Sequence, residues 1–175
     1  RDADLMTMNP QLARRLRKIR AFLLDVDGVL TDASIKITSD GIQDKVVNVM
    51  DAESILAAQA IGVQFGLITS SASDVVLKRA EELNITDIYR GSYDKGDAYA
   101  EFKHVYEFTD EEVAYMGDGI LDLSVLKQVG FAATAAAAHP SARMAAHFVS
   151  RHRGGYGAVR EVLTMLVQAQ REEEF

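Results

Sequence analysis

Ala21-Phe22-Leu23-Leu24-Asp25-Val26-Asp27-Gly28-Val29-Leu30-Thr31-Asp32 is a short apolar run that ends in two closely spaced aspartates, Asp25 and Asp27. The apolar part has the length of a buried β-strand. In α/β proteins, ligands and reactive groups gather where such strands end. A simple Asp-Gly turn with solvated acids is the alternative interpretation, but it requires no apolar strand leading into it. The stretch therefore predicts a reactive carboxylate pair at the end of a strand.

Length and composition favour a single domain. The chain has 175 residues, 48% of them hydrophobic, and only two prolines, enough for one substantial core without an obvious linker. We assign residues 21–170 to this domain, residues 1–20 to an N-terminal extension and residues 150–175 to a C-terminal tail and helix. Because the chain has no cysteine, disulfides, thiolate zinc sites and cysteine nucleophiles are excluded.

Charge and hydropathy limit the partners. The formal net charge of −7 disfavours nucleic acid or an anionic membrane as the main partner, because both require a dominant positive field. Arg14 to Arg20 is basic, but the apolar run after it is too short for a signal peptide or a membrane helix. We expect a cytoplasmic protein, and an anionic substrate would need a locally built cationic site.

Strand-length apolar runs alternate with helix-period segments along the chain, which is typical of βαβ units around a parallel sheet. The predicted strands are Phe22–Leu24, Val63–Ile68, Asp87–Tyr89, Val113–Met116, Phe131–Ala133 and His147–Val149. The predicted helices are Ser54–Ala60, with Asp51 in its N-cap region, Ser73–Leu83, Lys95–Tyr106 and Leu121–Val129. Residues 34–38 and 45–49 flank Ser39-Asp40-Gly41, which predicts a β-hairpin flap over the site.

A second acidic motif lies in Met116-Gly117-Asp118-Gly119-Ile120-Leu121-Asp122. Asp118 and Asp122 leave a predicted strand and enter the first turn of a helix, where both can face a hard cation near Asp25. Magnesium prefers oxygen ligands and retains several waters, so a few carboxylates suffice. Acidic residues that merely favour the helix dipole are the alternative. Together with Asp25 and Asp27, the motif favours a Mg²⁺ site.

These motifs resemble those of the haloacid dehalogenase (HAD) superfamily. The resemblance implies a Rossmann-like three-layer sandwich in which Asp25 is the nucleophile and Asp27 the acid and base. Thr69, after the strand at Leu67-Ile68, resembles the second motif, and Lys95 resembles the third-motif lysine that neutralises charge. The implied metal ligands are Asp25, Asp27 through its main-chain carbonyl, Asp118 and Asp122.

No cap domain fits between these motifs, so an open site would need a lid or a large substrate. The C-terminal Gly154-Gly155-x-Gly157-Ala158-Val159-Arg160-Glu161 segment and the closing Gln168-Ala169-Gln170 are similar to those of bacterial 3-deoxy-D-manno-octulosonate (KDO) 8-phosphate phosphatases. That family implies a homotetramer, a role in lipopolysaccharide synthesis and a tail that reaches a neighbouring site. The substrate-binding residues it implies are Thr69, Ser70, Arg79, Lys95, Gly154 and Gly155.

Several positions depart from that family, so the substrate stays open. Ser70-Ser71 replaces the usual Gly-Arg, Met50-Asp51-Ala52-Glu53-Ser54 replaces Arg-Asp-Gly-x-Gly, and Ala137 replaces a common Asp. A nonulosonate 9-phosphate phosphatase, in which Gly-Glu is usual, is therefore an alternative. A phosphoryl-accepting receiver domain would have its acidic pair before the accepting Asp, which argues against it. A catalytically silent scaffold of the same fold is the third alternative.

Overall fold

The computed structural model describes residues 8–41 and 43–171. A parallel sheet of six strands forms its centre, in the order β5-β4-β1-β6-β7-β8. The strands are β1 (Ala21–Leu24), β4 (Gln64–Ile68), β5 (Asp87–Tyr89), β6 (Val113–Met116), β7 (Phe131–Thr134) and β8 (Phe148–Val149). A separate antiparallel hairpin consists of β2 (Lys36–Ile37) and β3 (Gln43–Asp44).

Helices cover both faces of the sheet, so the predicted three-layer α/β sandwich is confirmed. One apolar core is shared by the sheet with α1 (Pro10–Arg17), α2 (Val49–Ala60), α3 (Asp74–Glu82) and α7 (Ala158–Arg171). The opposite core is shared with α4 (Lys95–Tyr106), α5 (Leu123–Leu126) and α6 (Pro140–Ala145). The described residues form no cap domain, and none of their helices is long and apolar enough to cross a bilayer.

β1 is central because it pairs with β4 on one side and β6 on the other. Leu24, its last residue, is in register with Leu67 and with Met116. Carboxyl ends of parallel strands meet at one edge of the sheet. The chain therefore brings the residues after β1, β4 and β6 to a common edge, although they are far apart in sequence.

The hairpin differs from its predicted form. Its second strand is Gln43–Asp44 rather than residues 45–49. Asn48 instead caps α2, since its side chain accepts hydrogen bonds from the N–H groups of Met50 and Asp51. Hence α2 begins at Val49, five residues before the predicted start, and the predicted cap region at Asp51 is wrong.

Buried Asp51 serves a different helix. Its Oδ1 accepts a hydrogen bond from the backbone N–H of Arg160, in the first turn of α7, at 2.9 Å. An acidic side chain at that position offsets the positive end of the helix dipole. The predicted Leu121–Val129 helix is also shorter, because α5 ends at Leu126 and loose turns lead into Gly130.

The C-terminal helix is anchored on its own subunit. Its apolar stripe includes Val159, Val162, Leu163 and Leu166, all fully buried, and it packs against α1 and α2. The predicted amphipathic helix is therefore part of the core of this subunit.

Candidate active site

A buried polar cluster lies at the carboxyl edge of the sheet, directly after β1 and β6. Asp25 Oδ2 lies 2.9 Å from Lys95 Nζ, and the same ammonium donates a hydrogen bond to Asp122 Oδ1 at 2.7 Å. The Tyr115 hydroxyl also donates to Asp122 Oδ1. We call Asp25, Lys95, Tyr115, Asp118 and Asp122 the acid pocket. Four of them are buried, and Asp118 is half-buried.

The charges in this pocket are not balanced by its lysine. Burial, together with the Asp122 charge, raises the pKa of Asp25 well above its ordinary value, even though Lys95 opposes the shift. Burial and Asp122 also raise the pKa of Asp118, to about 6. Burial alone would lower the pKa of Lys95, but Asp25 and Asp122 outweigh it and raise the pKa. Excess negative charge at these positions is typical of a site that binds a cation.

Two glycines allow the acidic side chains to approach the backbone. A Cβ at Gly28, where φ is +82°, would lie 1.8 Å from Asp118 Oδ2. A Cβ at Gly117 would lie 2.4 Å from Asp122 Cγ. Both contacts are far shorter than van der Waals separation, so a side chain at either position would displace an acid of the pocket.

The donor set fits a hard divalent cation. Asp25, Asp118 and Asp122 offer carboxylate oxygens that all lie within 4.8 Å of one another. Both carboxylate oxygens of Asp122 already accept hydrogen bonds. Its Oδ1 accepts from Lys95 and Tyr115, and its Oδ2 accepts from the backbone N–H groups of Asp118 and Gly119. Asp25 and Asp118 are therefore the better ligands, while Asp122 holds the lysine and the loop in place.

Thr69 and Lys95 reach the site from the flanking elements. Buried Thr69 follows β4, and its Oγ1 accepts a hydrogen bond from the backbone N–H of Ser71 at 3.1 Å. Lys95 is the first residue of α4, whose N-cap is Asp94. The start of α4 thus brings a buried ammonium to Asp25 and Asp122.

Asp27, the predicted acid and base, pairs with a residue that the sequence did not single out. Lys45 Nζ lies 2.6 and 2.8 Å from the two carboxylate oxygens of Asp27 and 3.3 Å from Ser71 Oγ. Its side chain is only 2% exposed. The hairpin segment thus overhangs the site as predicted, through this lysine.

A polar cavity opens beside the site. Its volume is about 730 Å³, and serines, a tyrosine and a lysine line it. We call the following residues the serine rim: Ser70, Ser71, Ser73, Lys78 and Tyr93. Hydroxyl groups of this density suit a polyhydroxylated ligand.

The other predicted substrate contacts, Arg79, Gly154 and Gly155, have partners within this chain, and the two glycines lie on the first acidic loop. Arg79 donates to Glu82 and, at 3.5 Å, to the backbone carbonyl of Asn48. Gly154 packs so closely on the first acidic loop that a Cβ would lie 2.0 Å from Gly28 O. Gly155 donates its N–H to Val29 O. The glycine segment thus contacts the loop of its own chain.

Lys45 and Tyr115 are the site residues that sequence reasoning missed. Tyr115 lies within an apolar strand run, where an aromatic residue is usually core, and only the folded-back loop after its strand brings Asp122 to its hydroxyl. Lys45 was assigned to a hairpin strand. Its sequence pattern points the wrong way, because alternation in extended backbone would place Val46 inward and Lys45 in solvent, whereas Val46 is 82% exposed and the Lys45 side chain 2%.

A strand-end carboxylate touching a buried lysine, with a second acid poised for a cation, defines a hydrolase site of the phosphatase class on an α/β sheet. The haloacid dehalogenase-like hydrolase family model matches residues 71–163, and the chain belongs to that family.

Individual relatives and solved structures are similar to this chain over most of its length. The KDO 8-phosphate phosphatase KdsC of Yersinia pestis is 38% identical over 90% of this chain and 84% of its own length. KdsC of Escherichia coli K12 is 36% identical over 89% and 83%. The crystal structure of the Moraxella catarrhalis phosphatase in complex with magnesium, phosphate and KDO has a TM-score of 0.92 at 29% identity, covering 95% of this chain and 96% of that one.

Proposed function

We propose that this protein is a magnesium-dependent phosphomonoesterase that hydrolyses a phosphorylated 2-keto-3-deoxy sugar acid, with KDO 8-phosphate as the first candidate. The observation that carries the proposal is the 2.9 Å contact between Asp25 and Lys95 inside a buried pocket that contains two further acids. Relatives named for KDO 8-phosphate hydrolysis support the substrate class. The product of that reaction would feed lipopolysaccharide synthesis.

The reaction divides into two displacements at phosphorus. Asp25 attacks the phosphoryl group, so that its oxygen–phosphorus bond forms while the ester bond breaks, and Asp27 gives its proton to the departing alkoxide. Asp27 then takes a proton from water, whose oxygen attacks phosphorus and releases phosphate and free Asp25. Lys95 offsets the charge of the phosphoryl oxygens throughout, and Thr69 is placed to donate a hydrogen bond to one of them.

Magnesium would be held by Asp25, Asp118 and the main-chain carbonyl of Asp27. When bound, the ion supplies positive charge that offsets repulsion between the carboxylate and the phosphate dianion. Asp122 then keeps Lys95 and the Asp118 loop in place, and its carboxylate adds negative charge to the metal site.

The serine rim leaves a second substrate class to test. Ser70 and Ser71 stand where relatives usually have Gly-Arg or Gly-Glu, so the contacts that select the sugar differ here. Nonulosonate 9-phosphates are therefore the second candidate. The size and hydroxyl content of the cavity suit either sugar acid.

Phosphate release from a panel of sugar phosphates, with magnesium or with a chelator, tests the proposal. We expect release from a sugar-acid phosphate only with magnesium, and none from Asp25→Asn under the same conditions. Preference for a nonulosonate 9-phosphate would move the protein to the second candidate. Absence of release from every ester would favour a silent scaffold.

We further propose that the protein is a cytoplasmic homotetramer. The hairpin and the start of α2 carry exposed apolar side chains, among them Ile37 at 64%, Val46 at 82% and Val49 at 68% exposure. Exposed apolar groups that lie together are typical of protein–protein contact surfaces, here assigned to other copies of the chain. Light scattering in solution checks the assembly, and a fully active monomer would contradict it.

A further inference from the structure

Lys45 is unusual among the lysines of this chain because its ammonium is buried in a segment that otherwise faces solvent. It follows β3 of the hairpin, and the next residue, Val46, is 82% exposed. The Lys45 side chain is 2% exposed. Burying an ammonium is costly unless charged and polar partners compensate it.

Its partners belong to the reaction site. Both carboxylate oxygens of Asp27 lie within 2.8 Å of Nζ, and Ser71 Oγ, on the serine rim, lies at 3.3 Å. Two of these contacts hold both oxygens of the Asp27 carboxylate, and the third ties the ammonium to the serine rim. Exposed ion pairs on the same hairpin are looser: Lys36 lies 4.0 Å from Asp44, and both are largely exposed.

We propose that Lys45 is a positioning residue that orients Asp27 toward the leaving oxygen and stabilises the negative charge left on Asp27 when its proton departs. The inference rests on the proposed function. A cation aimed at charge that develops during the reaction lowers the barrier, because it interacts more strongly with the transition state than with the ground state.

The position of Lys45 also links the flap to the chemistry. Because Lys45 directly follows β3, a displacement of the hairpin moves the ammonium relative to Asp27. The position of the hairpin thus affects proton transfer by Asp27, in addition to covering the site.

Substrates with two kinds of leaving group distinguish a role of Lys45 in proton transfer from a role in substrate binding or in anchoring the hairpin. A sugar alkoxide must be protonated as it leaves, whereas 4-nitrophenolate departs without a proton. Lys45→Met, Lys45→Arg and the control Lys36→Met should be compared in first-turnover rapid-quench measurements. The two substrates are 4-nitrophenyl phosphate and the sugar phosphate that the wild-type protein hydrolyses best. KM and kcat are measured separately, and thermal melting checks the fold.

We expect Lys45→Met to slow the first turnover of the sugar phosphate about tenfold or more, and that of 4-nitrophenyl phosphate less than about threefold. KM should change little, Lys45→Arg should restore part of the rate, and Lys36→Met should match the wild type.

Other outcomes overturn the inference in distinct ways. A raised KM with unchanged kcat would make Lys45 a substrate-binding residue. Equal slowing of both substrates with a lowered Tm would make it an anchor of the hairpin, and an unchanged rate would leave it without a catalytic effect. An active wild type with any of these results refutes only the role of Lys45, whereas a wild type inactive on both esters refutes the proposed function and this inference together.

Discussion

The acid pocket and the serine rim are neighbours with different degrees of constraint. In the pocket, Asp122 alone accepts four hydrogen bonds, and glycines leave room for the acids and nothing larger. The rim consists of half-buried or exposed side chains around an open cavity. The pocket matches the family motifs, whereas the rim holds Ser70 and Ser71, two of the departures from them.

The difference indicates how such an enzyme divides its work. A pocket whose members hold one another in place tolerates little change, because removing one partner leaves a buried charge without compensation. Rim side chains face a cavity and can be exchanged without that penalty. Reaction type is therefore expected to follow the pocket, and substrate choice the rim.

The largest expected effect is loss of the nucleophile. Asp25→Asn has nearly the same shape but cannot form the acyl phosphate, so we expect turnover below a few per cent of wild type with the fold retained. Asp32→Asn, in the same loop but outside the pocket, is the matched control and should stay active. Phosphate release and circular dichroism check both variants, and substantial turnover by Asp25→Asn would remove Asp25 from its proposed role.

Metal binding by the pocket is the next test. Asp118→Ala should raise the magnesium concentration for half-maximal activity about tenfold or more, because a ligand is lost. Asp74→Ala, an exposed acid in the first turn of α3, should leave the magnesium titration unchanged and cost only a few tenths of a kcal/mol of stability. If both variants titrate alike, Asp118 serves the helix rather than the ion.

The glycine segment tests how far the pocket depends on the tail. Gly154→Ala would place a Cβ 2.0 Å from Gly28 O, so the loop between Asp25 and Thr31 must shift, and we expect about a tenfold fall in kcat. Gly91→Ala, at φ +65° with open space around it, carries backbone strain alone and should lower only Tm. Similar kcat values for the two would show that the contact does not set the site. Truncation after Val149, a simpler design, would remove α7 and with it part of the core.

The smallest effect concerns pH and stability without metal. The pKa of Asp118 is raised to about 6, so the protonated carboxyl stabilises the folded state. This stabilisation is complete at a pH below the ordinary pKa of an aspartate and is lost as the pH rises through about 6. In the presence of a chelator, the difference between the Tm of Asp118→Asn and the Tm of the wild type should therefore grow by a few degrees between about pH 4 and pH 7. Magnesium should raise the wild-type Tm more at the upper end. A difference that stays constant with pH would contradict the raised pKa.

The sequence predicted the regular layers well and the irregular segments poorly. The strands of the sheet were found within one residue at each end, because buried parallel strands are continuous apolar runs. The hairpin was misplaced because Lys45 takes a tertiary partner, Asp27, that strand propensity does not register, and because Asn48 caps α2 locally instead of continuing the strand. Asp51 resembled a cap for the nearest helix, yet it caps one that begins more than a hundred residues later.

The acidic motifs were visible in sequence because each follows a strand. The separate roles of these acids were not visible, since they depend on which oxygen of Asp122 accepts from Lys95 and which accepts from the backbone. Tyr115 shows the same limit. Its strand was predicted correctly, but the fold of the loop after that strand decides that its hydroxyl meets Asp122.

The central position of β1 has a consequence for the chain as it emerges from the ribosome. β1, which leads into Asp25, is made before its neighbour β6 and the covering helix α7. Until then, one edge of β1 is an apolar strand without its partner, a species prone to association with other chains. The reactive carboxylate thus acquires Lys95 and Asp118 only after these later segments have been made, so a chain that lacks them is both inactive and a candidate for chaperone binding.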